Sequence, residues 1–162
     1  MRTVYLTSLS LFVLLGGVLA ACSPGSAQPS AESEQTQALP AVTVYKSPTC
    51  GCCSLWVDHL RENGFEAKTI DMPDVRPMKE QFGLPSDLGS CHTAVVDGYV
   101  IEGHVPAEDV KRLLAERPDV TGLAVPGMPI GSPGMEVEGR PADAYDVIAF
   151  TKGGERTVFA SH

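Results

Sequence analysis

Ala41-Val42-Thr43-Val44-Tyr45-Lys46-Ser47-Pro48-Thr49-Cys50-Gly51-Cys52-Cys53-Ser54-Leu55-Trp56 is the stretch that decides the fold. Its first five residues are an apolar, β-branched run that reads as a strand. Lys46–Thr49 is turn chemistry, and a helical pattern begins at Cys53. Between strand and helix lie three thiols in four positions. A free cysteine in a core behaves as a small hydrophobe, and packing gives no reason to gather three at one turn. Clustered thiolates make either a redox couple or a site for a soft metal ion.

Working outward, Cys53–Asn63 is expected to be a helix, with Leu55/His59 and Trp56/Leu60 as i,i+4 pairs and Gly64 as its stop. Phe65–Asp71 alternates as a second strand, and Asp74–Phe82 is a short helix closed by Gly83 and Pro85. Thr93–Val96 and Tyr99–Glu102 flank Asp97-Gly98, the dipeptide favoured in a type I′ hairpin turn. Pro106–Arg117 is a helix with Pro in its first turn and Pro118 beyond its end. A Gly/Pro/Met-rich loop follows, then a second hairpin of Tyr145–Thr151 and Glu155–Ala160 around Gly153-Gly154. The order β-α-β-α-β-β-α is that of a thioredoxin-like α/β core, here with a C-terminal loop and an extra hairpin.

That order puts Cys50-Gly51-Cys52-Cys53 at the turn from the first strand to the first helix. Cys50 and Cys53 have Cys-x-x-Cys spacing, and the positive end of the helix dipole stabilises thiolates there. Cys52 complicates a purely redox reading, because residues 50 and 52 of a continuous helix point to nearly opposite sides. Convergence of all three sulfurs calls for Cys50-Gly51 to lie outside the helix, with Gly51 permitting a sharp bend. Cys91 precedes the third strand, in a loop that lies against the active-site turn of thioredoxin-like proteins and normally carries a cis-proline. Here it reads Ser90-Cys91-His92-Thr93. Cys91 is therefore expected as a fourth sulfur, the alternative being a buried core thiol. In an extended segment His92 points the other way. His104 follows the fourth strand, which returns to the edge where Cys91 sits, and is a candidate ligand or a surface residue before the third helix. His59 reads as a helix-face residue and His162 as a frayed terminus.

The loop Val125–Met135 contains Pro-Gly-Met twice, ending at Met128 and Met135. A thioether suits Cu(I) and does little for Zn(II); methionine also fills irregular gaps in cores. Zinc sites of four cysteines usually use paired knuckles well separated in sequence. Three sulfurs in four residues more naturally bridge several Cu(I) ions.

The rest of the chain sets the context. Val4 to Ala21 carries no charge, follows Arg2, and ends Leu19-Ala20-Ala21-Cys22. Residues 1–21 read as a lipoprotein signal peptide and Cys22 as the acylated first residue of the mature chain. An uncleaved membrane anchor is the alternative. Residues 22–40 are rich in Ser, Ala, Gln, Pro and Glu and read as a lipidated, disordered tether, which leaves residues 41–162 as one metal-binding domain. Ser23, rather than Asp, after the cysteine points to the outer membrane, facing the periplasm. Five cysteines less Cys22 leave an even four, but three on one turn make a site rather than a stapling framework. The formal charge of −8, or −9 without Arg2, argues against nucleic acid as a partner.

Lys46–Cys53 with Trp56 close behind, Ser90-Cys91-His92-Thr93-Ala94, Gly98–Pro106 and the double Pro-Gly-Met loop together resemble the CopG-type family of periplasmic copper-resistance proteins, known by a Cys-x-Cys-Cys motif. The resemblance runs from about Ala41 to Ala160. It implies a thioredoxin-like domain binding several copper ions through cysteine sulfur and handling copper in the envelope, with other copper-handling proteins as partners and Cu(I)/Cu(II) redox change within its chemistry. The resulting expectation is a metal site of Cys50, Cys52, Cys53 and Cys91, supplemented by His104, Met128 and Met135. The competing expectation is a thiol-disulfide oxidoreductase using Cys50/Cys53, with Cys91 as resolving thiol. A third is an adaptor whose metal only staples the fold.

Overall fold

The computed structural model describes residues 38–162. The elements run β1 (Val42–Lys46), α1 (Gly51–Glu62), β2 (Ala67–Asp71), α2 (Arg76–Gln81), a 3-10 turn at Ser86–Leu88, β3 (Thr93–Val96), β4 (Tyr99–Glu102), α3 (Ala107–Glu116), β5 (Gly122–Ala124), β6 (Asp146–Phe150) and β7 (Arg156–Ser161). The result is a mixed α/β fold with one seven-stranded sheet, in the order β2-β1-β3-β4-β5-β6-β7. β1 pairs parallel with β2 and antiparallel with β3, and β3 and β4 form the expected hairpin. Asp97 (φ 46°) and Gly98 (φ 87°) both take the positive φ of a type I′ turn.

α1 stops where glycine permits it. Gly64 has φ 91°, its N–H bonds to the Arg61 carbonyl, and the Phe65 N–H reaches back to Leu60. Those two bonds make a Schellman closure. α3 ends on Arg117 in the left-handed conformation, with Pro118 next.

One stretch departs from the sequence reading. Gly122–Ala124 was expected to belong to a loop, and it is a buried strand pairing parallel with β4 and antiparallel with β6. Three residues are too few to display a periodicity, and pairing on both edges holds them in place. β5 thereby joins the second hairpin to the main sheet. His162 is also not frayed. It is paired with Tyr145 through both backbone groups, its ring stacks on Tyr145, and its Nε2 lies 2.7 Å from Asp109.

The period-2 alternation of the strands divides the core. Ile101, Val42, Val44, Ala94 and Val96 pack with Trp56, Val57 and Leu60 of α1 and with Val110 and Leu113 of α3. Val100, Ala124 and Phe150 form a smaller cluster with Leu88, Phe82 and Leu84. Burying a side chain such as Leu60 is worth about 1.5–3 kcal/mol, so α1 is anchored by Trp56, Val57 and Leu60. Leu39 also packs against the larger cluster. Residues 1–21, Cys22 and most of the 22–40 segment lie outside the described residues. Among those described, no helix is long and apolar enough to cross a membrane.

Candidate metal centre

The site stands on the first turn of α1. Cys50 is the N-cap in extended conformation (φ −79°, ψ 99°), and Gly51 is already the first helical residue. A bend at Cys50 alone brings its sulfur to 3.5 Å from that of Cys52. The expectation that Gly51 lies outside the helix is therefore corrected. Cys50 and Cys53 are joined as a disulfide, while Cys52 and Cys91 are free thiols.

The sulfurs of Cys50, Cys52, Cys53 and Cys91 all lie within 4.8 Å of one another. A second group, Cys91, His92 and His104, meets the same limit, so Cys91 belongs to both. His104 Nε2 is 3.1 Å and His92 Nδ1 3.3 Å from the Cys91 sulfur. Both imidazoles are fully buried. His92 is the residue sequence reasoning passed over. Its segment is a bend rather than a strand, so alternation does not apply, and the ring packs against Trp56 (centroids 4.4 Å apart) and His104 (5.0 Å).

Hydrogen bonding fixes the state of His104. Its Nδ1 is 2.8 Å from the carbonyl oxygen of Pro133. That oxygen can only accept, so Nδ1 carries the proton and Nε2 presents its lone pair toward Cys91. His92 Nε2 has no partner although fully buried, and a buried nitrogen without a bond is costly.

Burial disfavours charge on Cys91, His92 and His104. Burial, followed by the neighbouring Cys52, pushes the Cys91 thiol up to about 11. Burial holds His92 well below the usual histidine range, aided by the nearby His104 and Lys79, and burial lowers His104 too. Neutral imidazoles are ready ligands, whereas thiols must release protons when a metal binds.

The Pro-Gly-Met loop brackets the site on two sides. Gly127 N–H bonds to the Gly89 carbonyl at 3.3 Å, and Ser90 Oγ donates to the Gly127 carbonyl, next to Cys91. Gly134 lies against the first turn of α1. A Cβ there would stand 2.8 Å from the Trp56 nitrogen and 2.9 Å from the Cys52 carbonyl oxygen, at φ 82°. Met135 is half-buried beside that contact, whereas Met128 is 53% exposed. The loop therefore reaches the cysteine turn, which spacing alone does not establish.

Comparison with solved structures decides the relationship. The chain is 46% identical to a structure titled copper resistance protein copG, form 1, with a TM-score of 0.72 over 76% of this chain and 98% of that one. This chain belongs to the CopG family. The form 2 structure of the same CopG protein matches with the same figures. Residues 88–135 also match a family described as a protein of unknown function, DUF411. That interval contains Cys91, His92, His104, Met128 and Met135 of this CopG homologue but not the triplet at Cys50. No curated protein matches.

Proposed function

We propose that this chain is an envelope copper-binding protein of copper resistance and homeostasis, holding more than one Cu(I) ion in a thiolate cluster on a thioredoxin-like core. The observation that carries this reading is the position of Cys91, shared between three other sulfurs and two buried imidazoles. Soft sulfur donors favour Cu(I), and neutral imidazole suits copper as well. Cys50, Cys52, Cys53, Cys91 and His104 would hold the ions. Met135, beside the cysteine turn, is better placed to join them than the exposed Met128. Copper in such a site is cargo, and a Cu(I)/Cu(II) change belongs to the same proposal. The CopG relatives, whose titles name copper resistance, support the choice of metal. Anaerobic titration of the reduced protein with Cu(I) is expected to give more than one copper per chain. Binding of a single zinc and no copper overturns it.

The leader supports a place for this activity: Leu19-Ala20-Ala21-Cys22 followed by Ser23 fits a lipid anchor at Cys22 on the periplasmic side of the outer membrane. Mass spectrometry of the membrane-extracted chain, finding acyl groups on Cys22, tests it.

One observation favours a second reading. Cys50 and Cys53 form a disulfide at a helix N-terminus, the arrangement of a thiol-disulfide oxidoreductase with Cys91 as resolving thiol. Turnover of a disulfide substrate without metal, abolished by Cys50→Ser, is its signature.

A further inference from the structure

Beneath the metal centre lies a buried carboxylate that the proposed copper site does not use. Glu102, the last residue of β4, is completely buried. One of its oxygens accepts from the backbone N–H of Ser90 at 2.6 Å and from Lys79 Nζ, and the other accepts from Thr93 Oγ1 at 2.6 Å. Lys79 also donates to Thr93 Oγ1 at 3.1 Å. Ser90 and Thr93 are the residues on either side of Cys91-His92. A single carboxylate therefore ties both ends of the two-residue segment that carries a sulfur and an imidazole of the site. The neighbouring backbone tightens the same segment: Gly103 N–H bonds to the His92 carbonyl at 3.1 Å. A Cβ on Gly103 would come within 2.6 Å of Ser90 Oγ and of the Val125 carbonyl oxygen.

The energetics of such a pair point away from simple stabilisation. Taking a Lys and a Glu out of water costs several kcal/mol per ion, and apolar replacements are often as stable or more so. What a buried, fully bonded carboxylate supplies is geometry. Segment 90–92 has no ladder of its own, since β3 begins at Thr93. Without the carboxylate, Ser90 N–H loses its acceptor, and the segment that carries Cys91 keeps only the Gly103–His92 backbone bond and the Ser90 Oγ–Gly127 bond.

We propose that Glu102 is a positioning residue for the metal centre, clamping Ser90 and Thr93 so that Cys91 and His92 are held in place against Cys52 and His104. This inference rests on the copper-binding reading for its ligand. Metal-free thiol chemistry gives it an independent readout.

The test uses the reduced full chain carrying either Glu102→Gln or Thr93→Val. Thr93→Val removes the Thr93 bonds to Glu102 and to Lys79, leaves the direct Lys79–Glu102 pair and suits a strand, so the test survives if Glu102→Gln does not fold. Cu(I) affinity is measured by anaerobic competition with a chromogenic chelator, below the unfolding transition. Alkylation rates of Cys91 and Cys52 are measured on the metal-free protein by mass spectrometry. Loosening the segment is expected to weaken copper about 10-fold or more, the scale on which outer-shell partners act, and to raise Cys91 alkylation severalfold while Cys52 changes little. A lowered melting temperature with wild-type copper affinity and wild-type Cys91 alkylation overturns the proposal and leaves Glu102 a structural residue. If wild-type protein binds no copper, the copper reading fails, and the Cys91 alkylation ratio still decides the clamp.

Discussion

His104 holds its Nε2 3.1 Å from the sulfur of Cys91. The ring is set for this by the Pro133 carbonyl, which takes the Nδ1 proton, so a residue after strand β4 and a residue before strand β3 meet through a loop 29 positions downstream. β3 and β4 are antiparallel neighbours, with Thr93 opposite Glu102, which returns the chain to the same sheet end. His104→Gln, which keeps a polar side chain of similar reach, is expected to lower Cu(I) affinity roughly 10-fold or more with the fold retained. Competition titration beside a circular-dichroism melt checks it. An unchanged affinity would mean that the imidazole is not a ligand.

Cys52 separates the two proposed readings of the cysteine turn. Cys50 and Cys53 form a disulfide without it, whereas Cys52 is the free thiol of the turn and stands next to Cys91. Cys52→Ser is therefore expected to break multi-copper binding while Cys50 and Cys53 still cycle between dithiol and disulfide. Copper per chain and thiol titration before and after reduction give the two readouts. A full copper load in the variant refutes the cluster reading.

Much of this was legible in the sequence, and the exceptions have physical causes. Thr93–Val96, Asp97-Gly98 and Tyr99–Glu102 fall where alternation and turn chemistry put them, because a two-residue hairpin is a local device. β5 was not legible, since Gly122–Ala124 owes its strand character to partners on both sides that are distant in sequence. His92 was missed for a similar reason. Its direction is set by the Trp56 and His104 rings and by the bonds on Ser90 and Thr93, not by strand alternation. His59 read as a plain helix-face residue, yet its Nε2 accepts the Ala107 N–H at the start of α3. Only the packing of α1 against α3 reveals that bond.

That bond predicts a pH dependence. Burial lowers the His59 pKa below its ordinary 6.5, against the raising effect of Glu136, Glu62 and Glu108. The unfolded chain then binds a proton more readily than the folded one, so stability is full above about pH 6.5 and falls as pH drops toward the lowered folded value. A protonated ring also has no lone pair left for Ala107 and places a cation at a helix N-terminus. His92 and His104, also lowered by burial, act in the same direction. The metal-free protein is expected to lose melting temperature between about pH 7 and about pH 5, and His59→Gln to lose a part of that drop. A drop of the same size in the variant would remove His59 from the account.

The two Pro-Gly-Met copies differ in what their glycines do, and the difference can be measured. Gly127 and Gly134 both have positive φ, 71° and 82°. An alanine at either pays roughly 1–2 kcal/mol for the left-handed backbone. At Gly127 a Cβ meets nothing within 4 Å, whereas at Gly134 it would press on the Trp56 nitrogen and the Cys52 carbonyl oxygen. Those are backbone atoms of a helix anchored by buried Trp56, so the loop has to give way. Gly134→Ala is therefore expected to lift Pro133 off His104, release the fixed tautomer and displace Met135 from the cysteine turn. Gly127→Ala is expected to cost only its backbone strain, with copper binding unchanged. Gly134→Ala should cost more stability and weaken Cu(I) binding, a contrast that denaturant melts and chelator competition on the two variants check. Equal behaviour of the pair would mean that the second copy is not docked on the site as its glycine requires.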